Sequence, residues 1–240
     1  MPVVLTNGYS LQVAGCGLRV AGRGLQVTGC AFWFEKFTVG AICRAPDFSV
    51  PHSVFRNPHF LFTMDIVYFD LETQRTANDA GGWNKKRDMG MSVGVTYSTK
   101  SGQYRIYSEQ RVNDLVNQLL RADLVVGFNI LNFDFEVLMG YTILDLPHQL
   151  RTLDLLIDVE KNLGGRPKLE NIAQATLGIG KTGDGIDAIK WWREKRVLEI
   201  AEYCCFDVKV TRLVHEFGSA NKEIFYLDKF NRRQKISIGW

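Results

Sequence analysis

Asp65-Ile66-Val67-Tyr68-Phe69-Asp70-Leu71-Glu72-Thr73 is the stretch whose reading decides the fold. Residues 65–72 predict a β-strand, since Ile66, Val67, Tyr68, Phe69 and Leu71 are residues that strands favour. Side chains alternate along a strand, so Asp70 and Glu72 share one face while Phe69 and Leu71 take the other. Two carboxylates side by side repel, and burying them is costly unless something positive sits between them. A divalent metal is the economical answer. Taken alone, the pair fits equally well an exposed strand face whose charges stay in water.

Working outward, residues 91–99 and 103–108 predict two further strands joined by a turn at Ser101-Gly102. Residues 112–121 place Val112, Leu115, Val116, Leu119 and Leu120 on one helical face. Residues 123–128 read as another strand, with a short helix from about Asp134. Helices are expected over 154–163, 168–177, 186–194 and about 197–217, and strands over 223–228 and 234–238. Three antiparallel strands leading into a strand-helix series predict an α/β fold over residues 64–240: a mixed sheet flanked by helices, with a C-terminal β-hairpin.

Two more segments carry chemistry. Gly127-Phe128-Asn129-Ile130-Leu131-Asn132-Phe133-Asp134 ends a strand and opens a helix. Alone, Asp134 reads as an N-cap and Asn129 as a turn residue. Within the expected long helix, Tyr203 and Asp207 stand at i, i+4, which stacks the phenol and the carboxylate on one face. Ile200, Ala201, Cys204, Cys205 and Val208 supply the apolar stripe.

In this order the segments FDLET (69–73), NILNFD (129–134) and YCCFD (203–207) resemble the three motifs of DEDD-type 3′→5′ exonucleases of the ribonuclease H-like superfamily. Tyr203, four residues before Asp207, matches the tyrosine subclass; a histidine subclass would need His where this chain has Glu202. The wording GFNILNFD and EYCCFDVKVT is most like the proofreading domain of family B DNA polymerases and bacterial helicase-associated ribonuclease H-like proteins. The likeness spans about Met64 to Phe217.

The resemblance implies a ribonuclease H-like mixed sheet and a catalytic set of Asp70, Glu72, Asp134, Tyr203 and Asp207. It implies that the four carboxylates bind two divalent metal ions, Mg²⁺ or Mn²⁺, about 3.5–4 Å apart in sites of this kind. Asp70 would bridge both ions, Glu72 and Asp207 would complete the nucleophile side, and Asp134 would hold the second ion. Tyr203 would orient the attacking water, because a phenol of pKa near ~10 is a poor free base at neutral pH. Thr73, Asn129 and Phe133 are the implied substrate contacts. The implied reaction is hydrolysis at the 3′ end of nucleic acid, chiefly single-stranded DNA or frayed ends, releasing nucleoside 5′-monophosphates. A helicase or a polymerase is the implied protein partner. The alternative is a nucleic-acid-binding or helicase-partner module whose hydrolysis is vestigial.

Composition narrows the setting. The chain has 240 residues, 46% hydrophobic and 23% charged, which suits a globular domain and excludes a disordered or collagen-like chain. No apolar run approaches a membrane span, and five cysteines without C-x-x-C spacing fit neither a disulfide framework nor a zinc site, so a cytoplasmic setting is expected. Residues 1–63 carry five basic and two acidic side chains and so hold the whole net charge of +3. Bulk charge on the remainder therefore does not point to nucleic acid.

Residues 11–31 are three near copies of a seven-residue unit, LQVAGCG, LRVAGRG and LQVTGCA, followed by a stretch with Pro46, Pro51 and Pro58. Glycine in each copy and the lack of a continuous seam exclude a coiled coil. This Gly-rich heptad repeat and Pro-containing linker read as unstructured, or as translated repetitive DNA ahead of a start at Met64.

Other features weigh less. Residues 175–182, ATLGIGKT, satisfy a relaxed phosphate-loop pattern, but an expected helix precedes them where that loop needs a strand. Asp154 reads as a helix cap and stands as the substitute for Asp134. Trp191 and Trp192 lie among Lys190, Arg193, Lys195 and Arg196. Trp83 lies beside Lys85, Lys86 and Arg87 in a loop from Gln74 to Gly90. Either group could hold a single strand, or simply be solvated.

Overall fold

The structure is a computed structural model that describes residues 64–180 and 185–240 and, ahead of them, six strands between residues 3 and 42. Those six are β1 (Val3–Leu5), β2 (Tyr9–Leu11), β3 (Leu18–Ala21), β4 (Gly24–Val27), β5 (Cys30–Phe34) and β6 (Phe37–Ile42). They belong to a unit of their own, Met1–Asp47, in which β1 pairs with β2 and a second sheet runs β3-β4-β6-β5. Strands β3 and β4 come from the second and third copies of the heptad and pair antiparallel. The Pro-containing stretch falls on residues 43–63, which lie outside the described residues, as does Lys181 of the phosphate-loop pattern.

The second unit is organised around β7 (Ile66–Thr73), followed by the short helix α1 (Ala77–Ala80), β8 (Met91–Ser98) and β9 (Gln103–Ser108). Helix α2 (Val112–Leu120) leads to β10 (Leu124–Gly127), then α3 (Asp134–Leu138), α4 (Leu146–Gln149) and β11 (Thr152–Asp154). Five strands form one sheet in the order β11-β10-β7-β8-β9. The ladders β7–β8 and β8–β9 are antiparallel, whereas β10 runs parallel to both β7 and β11. This is the mixed sheet flanked by helices that the sequence predicts.

Alternation along β7 sets the two layers. Val67, Phe69 and Leu71 turn to a core that includes Leu115 and Leu119 of α2 and Phe135, Val137 and Leu138 of α3. Each large side chain buried there stabilises the fold by roughly 1.5–3 kcal/mol. On the other face lies α8 (Val197–Asn221), whose 25 residues span about 37 Å. Before it come α5 (Leu155–Leu163), α6 (Leu169–Leu177) and α7 (Gly185–Arg193). After it the hairpin β12 (Glu223–Leu227) and β13 (Arg233–Ser237) pairs antiparallel. That hairpin is tied to α6 through Thr176, which donates to the Phe225 carbonyl and accepts from its N–H, both at 3.0 Å.

Three short elements depart from the expected series. The three-residue strand β11 has no counterpart in the expected series, which has only a helix starting at its last residue, Asp154, and the four-residue helices α1 and α4 carry too few residues to show a 3.6 period. Helix α8 also runs four residues past 217, ending where Lys222 adopts a left-handed backbone, φ 57°.

Candidate active site

Asp70 and Glu72 stand on the α8 face of β7, half-buried. Asp207 is brought to them by α8, and one carboxylate oxygen from each of the three lies within 4.8 Å of the others. Cys204 of α8 lies against Asp70. Its buried Sγ–H is 3.3 Å from Asp70 Oδ2 and 3.4 Å from the Asp70 carbonyl.

Asp134 arrives by a different route. The parallel ladder of β7 with β10 ends at the pair Tyr68 and Val126. Beyond it the Leu71 N–H donates to Asp134 Oδ1 at 3.0 Å, so the carboxylate completes a ladder that β10 has left. Asp134 is 3% exposed and lies outside the group of three, yet its charge acts on both Asp70 and Glu72. The chain turns from β10 toward Asp134 at Gly127, where a Cβ would sit 2.2 Å from Ile130 Cγ2 and 2.9 Å from the Phe69 carbonyl oxygen. Asn129 follows in the left-handed region, φ 67°.

The electrostatics of this cluster are one-sided. Burial first, and then the neighbouring carboxylates Asp134, Asp207 and Glu72, hold the Asp70 carboxyl well above the usual range. Glu72 is raised by burial, then by Asp207 and Asp134. Burial pushes Asp134 up to about 8 against the opposing Leu71 N–H, and pushes Asp207 up to about 7 against a hydrogen bond from Tyr203. Among the described residues no Lys or Arg makes an ion pair with any of the four. Crowded carboxylates raised in this way, with no protein cation among them, are a donor set suited to a hard divalent ion.

Tyr203 lies one turn before Asp207, with the Trp191 ring edge-on at 6.2 Å. Burial, then the charges of Asp207, Glu72 and Asp70, raise its phenol, which is therefore a hydrogen-bond donor at neutral pH. Farther along the same face of β7, Tyr68 Oη is 2.9 Å from His215 Nδ1, and His215 Nε2 is 3.3 Å from Ser219 Oγ.

The three candidate substrate contacts lie on segments leaving the strand ends. Thr73 is buried and its hydroxyl donates to the Arg75 carbonyl at 3.0 Å. Asn129 Oδ1 accepts from Arg166 Nη2 at 2.8 Å. Phe133 is half-buried, with its ring 6.4 Å from that of Trp83. Asp154, the substitute for Asp134, is occupied otherwise: Oδ1 accepts from the Asn129 and Leu156 N–H groups at 2.8 and 3.1 Å, and Oδ2 from Leu131 at 3.0 Å. It caps α5 and fixes the loop that carries Asn129.

Two neighbours of the site had no signal in the sequence. Cys204 reads there only as part of an apolar stripe. Glu170, in the first turn of α6, raises both Tyr203 and Asp207 by its charge, although it is far from them along the chain. Of the remaining candidates, the phosphate-loop pattern falls away. Helix α6 ends at Leu177, directly before Gly178, where a phosphate loop needs a strand. Arg193 pairs with Asp79 at 2.8 Å, and Arg196 pairs with Glu194 and Glu199.

Residues 67–216 match the RNase H superfamily, a stretch that begins in β7 and ends within α8. The chain belongs to this superfamily. In fold it is similar to the family B DNA polymerase from the hyperthermophilic archaeon Pyrobaculum calidifontis, with a TM-score of 0.51 and 14% identity. The match covers 65% of this chain and 24% of the polymerase chain. A search among curated proteins finds no significant match. No helix among the described residues is long and apolar enough to cross a membrane.

Proposed function

We propose that this protein is a divalent-metal-dependent 3′→5′ exonuclease acting on single-stranded or frayed 3′ ends of nucleic acid, DNA in the first instance, and releasing nucleoside 5′-monophosphates. The observation that carries this reading is the convergence of Asp70, Glu72 and Asp207 within 4.8 Å at the end of β7, with Tyr203 one helical turn before the last of them. Membership of the RNase H superfamily supports it.

Asp70, Glu72 and Asp207 would hold one ion, and Asp134 with Asp70 the second. When bound, such ions supply Lewis-acid activation of water and neutralise charge on the phosphodiester being broken. The chain's own groups do the rest. Tyr203 keeps its proton, so its hydroxyl orients the attacking water by hydrogen bonding and does not serve as the base. The Leu71 N–H holds Asp134 and the Cys204 thiol holds Asp70, which favours preorganised carboxylates. The phosphodiester P–O3′ bond breaks, water adds to phosphorus, and the shortened strand leaves with a free 3′ hydroxyl.

A 5′-labelled single strand incubated with the protein and Mn²⁺ should shorten stepwise from its 3′ end, and EDTA should stop the reaction. A strand that stays intact, or is cut internally, contradicts the reading. A helicase or polymerase as physical partner belongs to the same proposal. Co-purification of either with the tagged chain tests it.

A further inference from the structure

Trp83 is 69% exposed at the start of the turn that follows α1, a large apolar side chain left in water. Its ring lies 6.4 Å from that of Phe133, the residue immediately before Asp134. The same turn, Trp83–Asp88, carries Lys85, Lys86 and Arg87.

The turn is held firmly. Gln74 closes its base with two bonds of 2.9 Å, from its N–H to the Gly90 carbonyl and from Nε2 to the Met91 carbonyl. Thr76 and Asp79 form a capping box on α1. Arg193 of α7 reaches Asp79 at 2.8 Å, and Arg87 reaches Glu136 of α3 at 3.2 Å. Trp83 is thus presented by a braced loop, and a braced aromatic face binds with little loss of entropy.

Among the described residues other large apolar side chains are exposed, but none of them shares these surroundings. Phe230 already has Lys229 at 5.0 Å and Arg232 at 4.9 Å over its ring. Ile143 and Ile186 offer no ring. An exposed ring, two lysines on the same turn and an adjacent carboxylate cluster match what a single strand of nucleic acid needs. Bases stack on the ring, phosphates meet the cations, and the strand end is delivered to the acidic site.

We propose that Trp83 is the platform on which the 3′-terminal base of a single strand stacks, with Phe133 at its edge and Lys85 and Lys86 taking phosphates. The inference rests on the exonuclease reading for which end of the strand is held, and it adds a residue that none of the three motifs contains. Stacking is tolerant of base identity, so the platform selects unpaired ends and not a sequence.

The test is anisotropy of a 5′-fluorescein single strand with Ca²⁺ in place of Mn²⁺, for the wild type, Trp83→Ala and Trp83→Phe. Trp83→Ala should bind about ten-fold more weakly, toward the low end of what one stacked base contributes, and Trp83→Phe should recover most of the loss. A strand whose 3′-terminal nucleotide lacks its base should bind the wild type about ten-fold more weakly too, and Trp83→Ala should then cost nothing further. Melting temperatures should coincide, because an exposed ring contributes little to packing. Binding by Trp83→Ala within two-fold of the wild type, losses that multiply, or no binding by the wild type would overturn the inference. Hydrolysis in Mn²⁺ is read in parallel. Cleavage with Trp83-independent binding removes the platform and leaves the exonuclease standing. Trp83-dependent, base-dependent binding without cleavage does the reverse.

Discussion

Val67, Phe69 and Leu71 on one face of β7 and Tyr68, Asp70 and Glu72 on the other alternate within a single strand, yet they fold under opposite constraints. The first face is satisfied by the fold itself: Phe69 stacks on Phe135 at 6.3 Å, and apolar surface leaves water. The second gathers carboxylates that burial makes costly and with which no Lys or Arg among the described residues makes an ion pair. One face packs into the apolar core and the other gathers the carboxylates of the proposed metal site. A strand can do both because its side chains alternate.

Substitutions on the two faces should therefore separate activity from stability. Asp70→Asn should lower the nuclease rate by about 10³-fold or more, since a bound metal contributes several kcal/mol to the transition state. Without metal, at pH 8, its melting temperature should equal or exceed that of the wild type, because a desolvated like charge has gone. Phe69→Ala should cost about 3–5 kcal/mol of stability while each folded molecule keeps its rate. Rate assays beside urea denaturation check both, and the comparison breaks if Asp70→Asn is the less stable of the two.

Tyr203→Phe comes next in size. It leaves the four carboxylates in place, so Mn²⁺ affinity should hardly change, whereas a misplaced water can cost ~10²-fold in rate. Wild-type single-turnover rates in this variant would move Tyr203 from the site to ordinary helix packing.

The polar face could be read only in part from sequence. The i, i+4 spacing of Tyr203 and Asp207 and the alternation of Asp70 and Glu72 are local facts, so the spacing alone puts each pair on one face. Asp134 is different: its place depends on β10 ending before β7 does, which leaves the Leu71 N–H to be satisfied, and only the assembled sheet shows that. Cys204 and Glu170 reach the site through helix packing, with no pattern of their own. Strand β11 escaped because three residues cannot display alternation, and because Asp154, at its end, caps α5 as the sequence suggests.

Tyr68 and His215 sharpen the comparison at the other end of the same face. Burial, and then the charge of Lys222, push His215 down from 6.5 to about 4, so it is neutral in the folded chain. Its neighbours there are Tyr68 of β7, Ser219 of α8 and the Trp240 ring. The unfolded chain takes up a proton on this histidine near pH 6.5, whereas the folded chain resists until about 4. Its contribution to stability is thus complete above 6.5 and lost as pH falls toward 4, by up to ~1.4 kcal/mol per pH unit. Urea midpoints for the wild type and His215→Gln should converge across that window as the wild type loses its advantage. Parallel curves would contradict the assignment.

The smallest effect is expected from residues 1–63, which carry none of the three motifs. A chain starting at Met64 should melt within a few degrees of the full chain and keep its nuclease rate within a few-fold. A larger loss in either measurement would show that this segment supports the domain.

Mn²⁺ titration calorimetry on the wild type and Asp70→Asn at pH 8 bears most directly on the polar face of β7. Two ions should bind the wild type, with heats that Asp70→Asn largely abolishes while its fold, read by melting, is kept. Identical titrations for the two proteins, or no binding by either, would contradict the assignment of this face to metal-dependent hydrolysis.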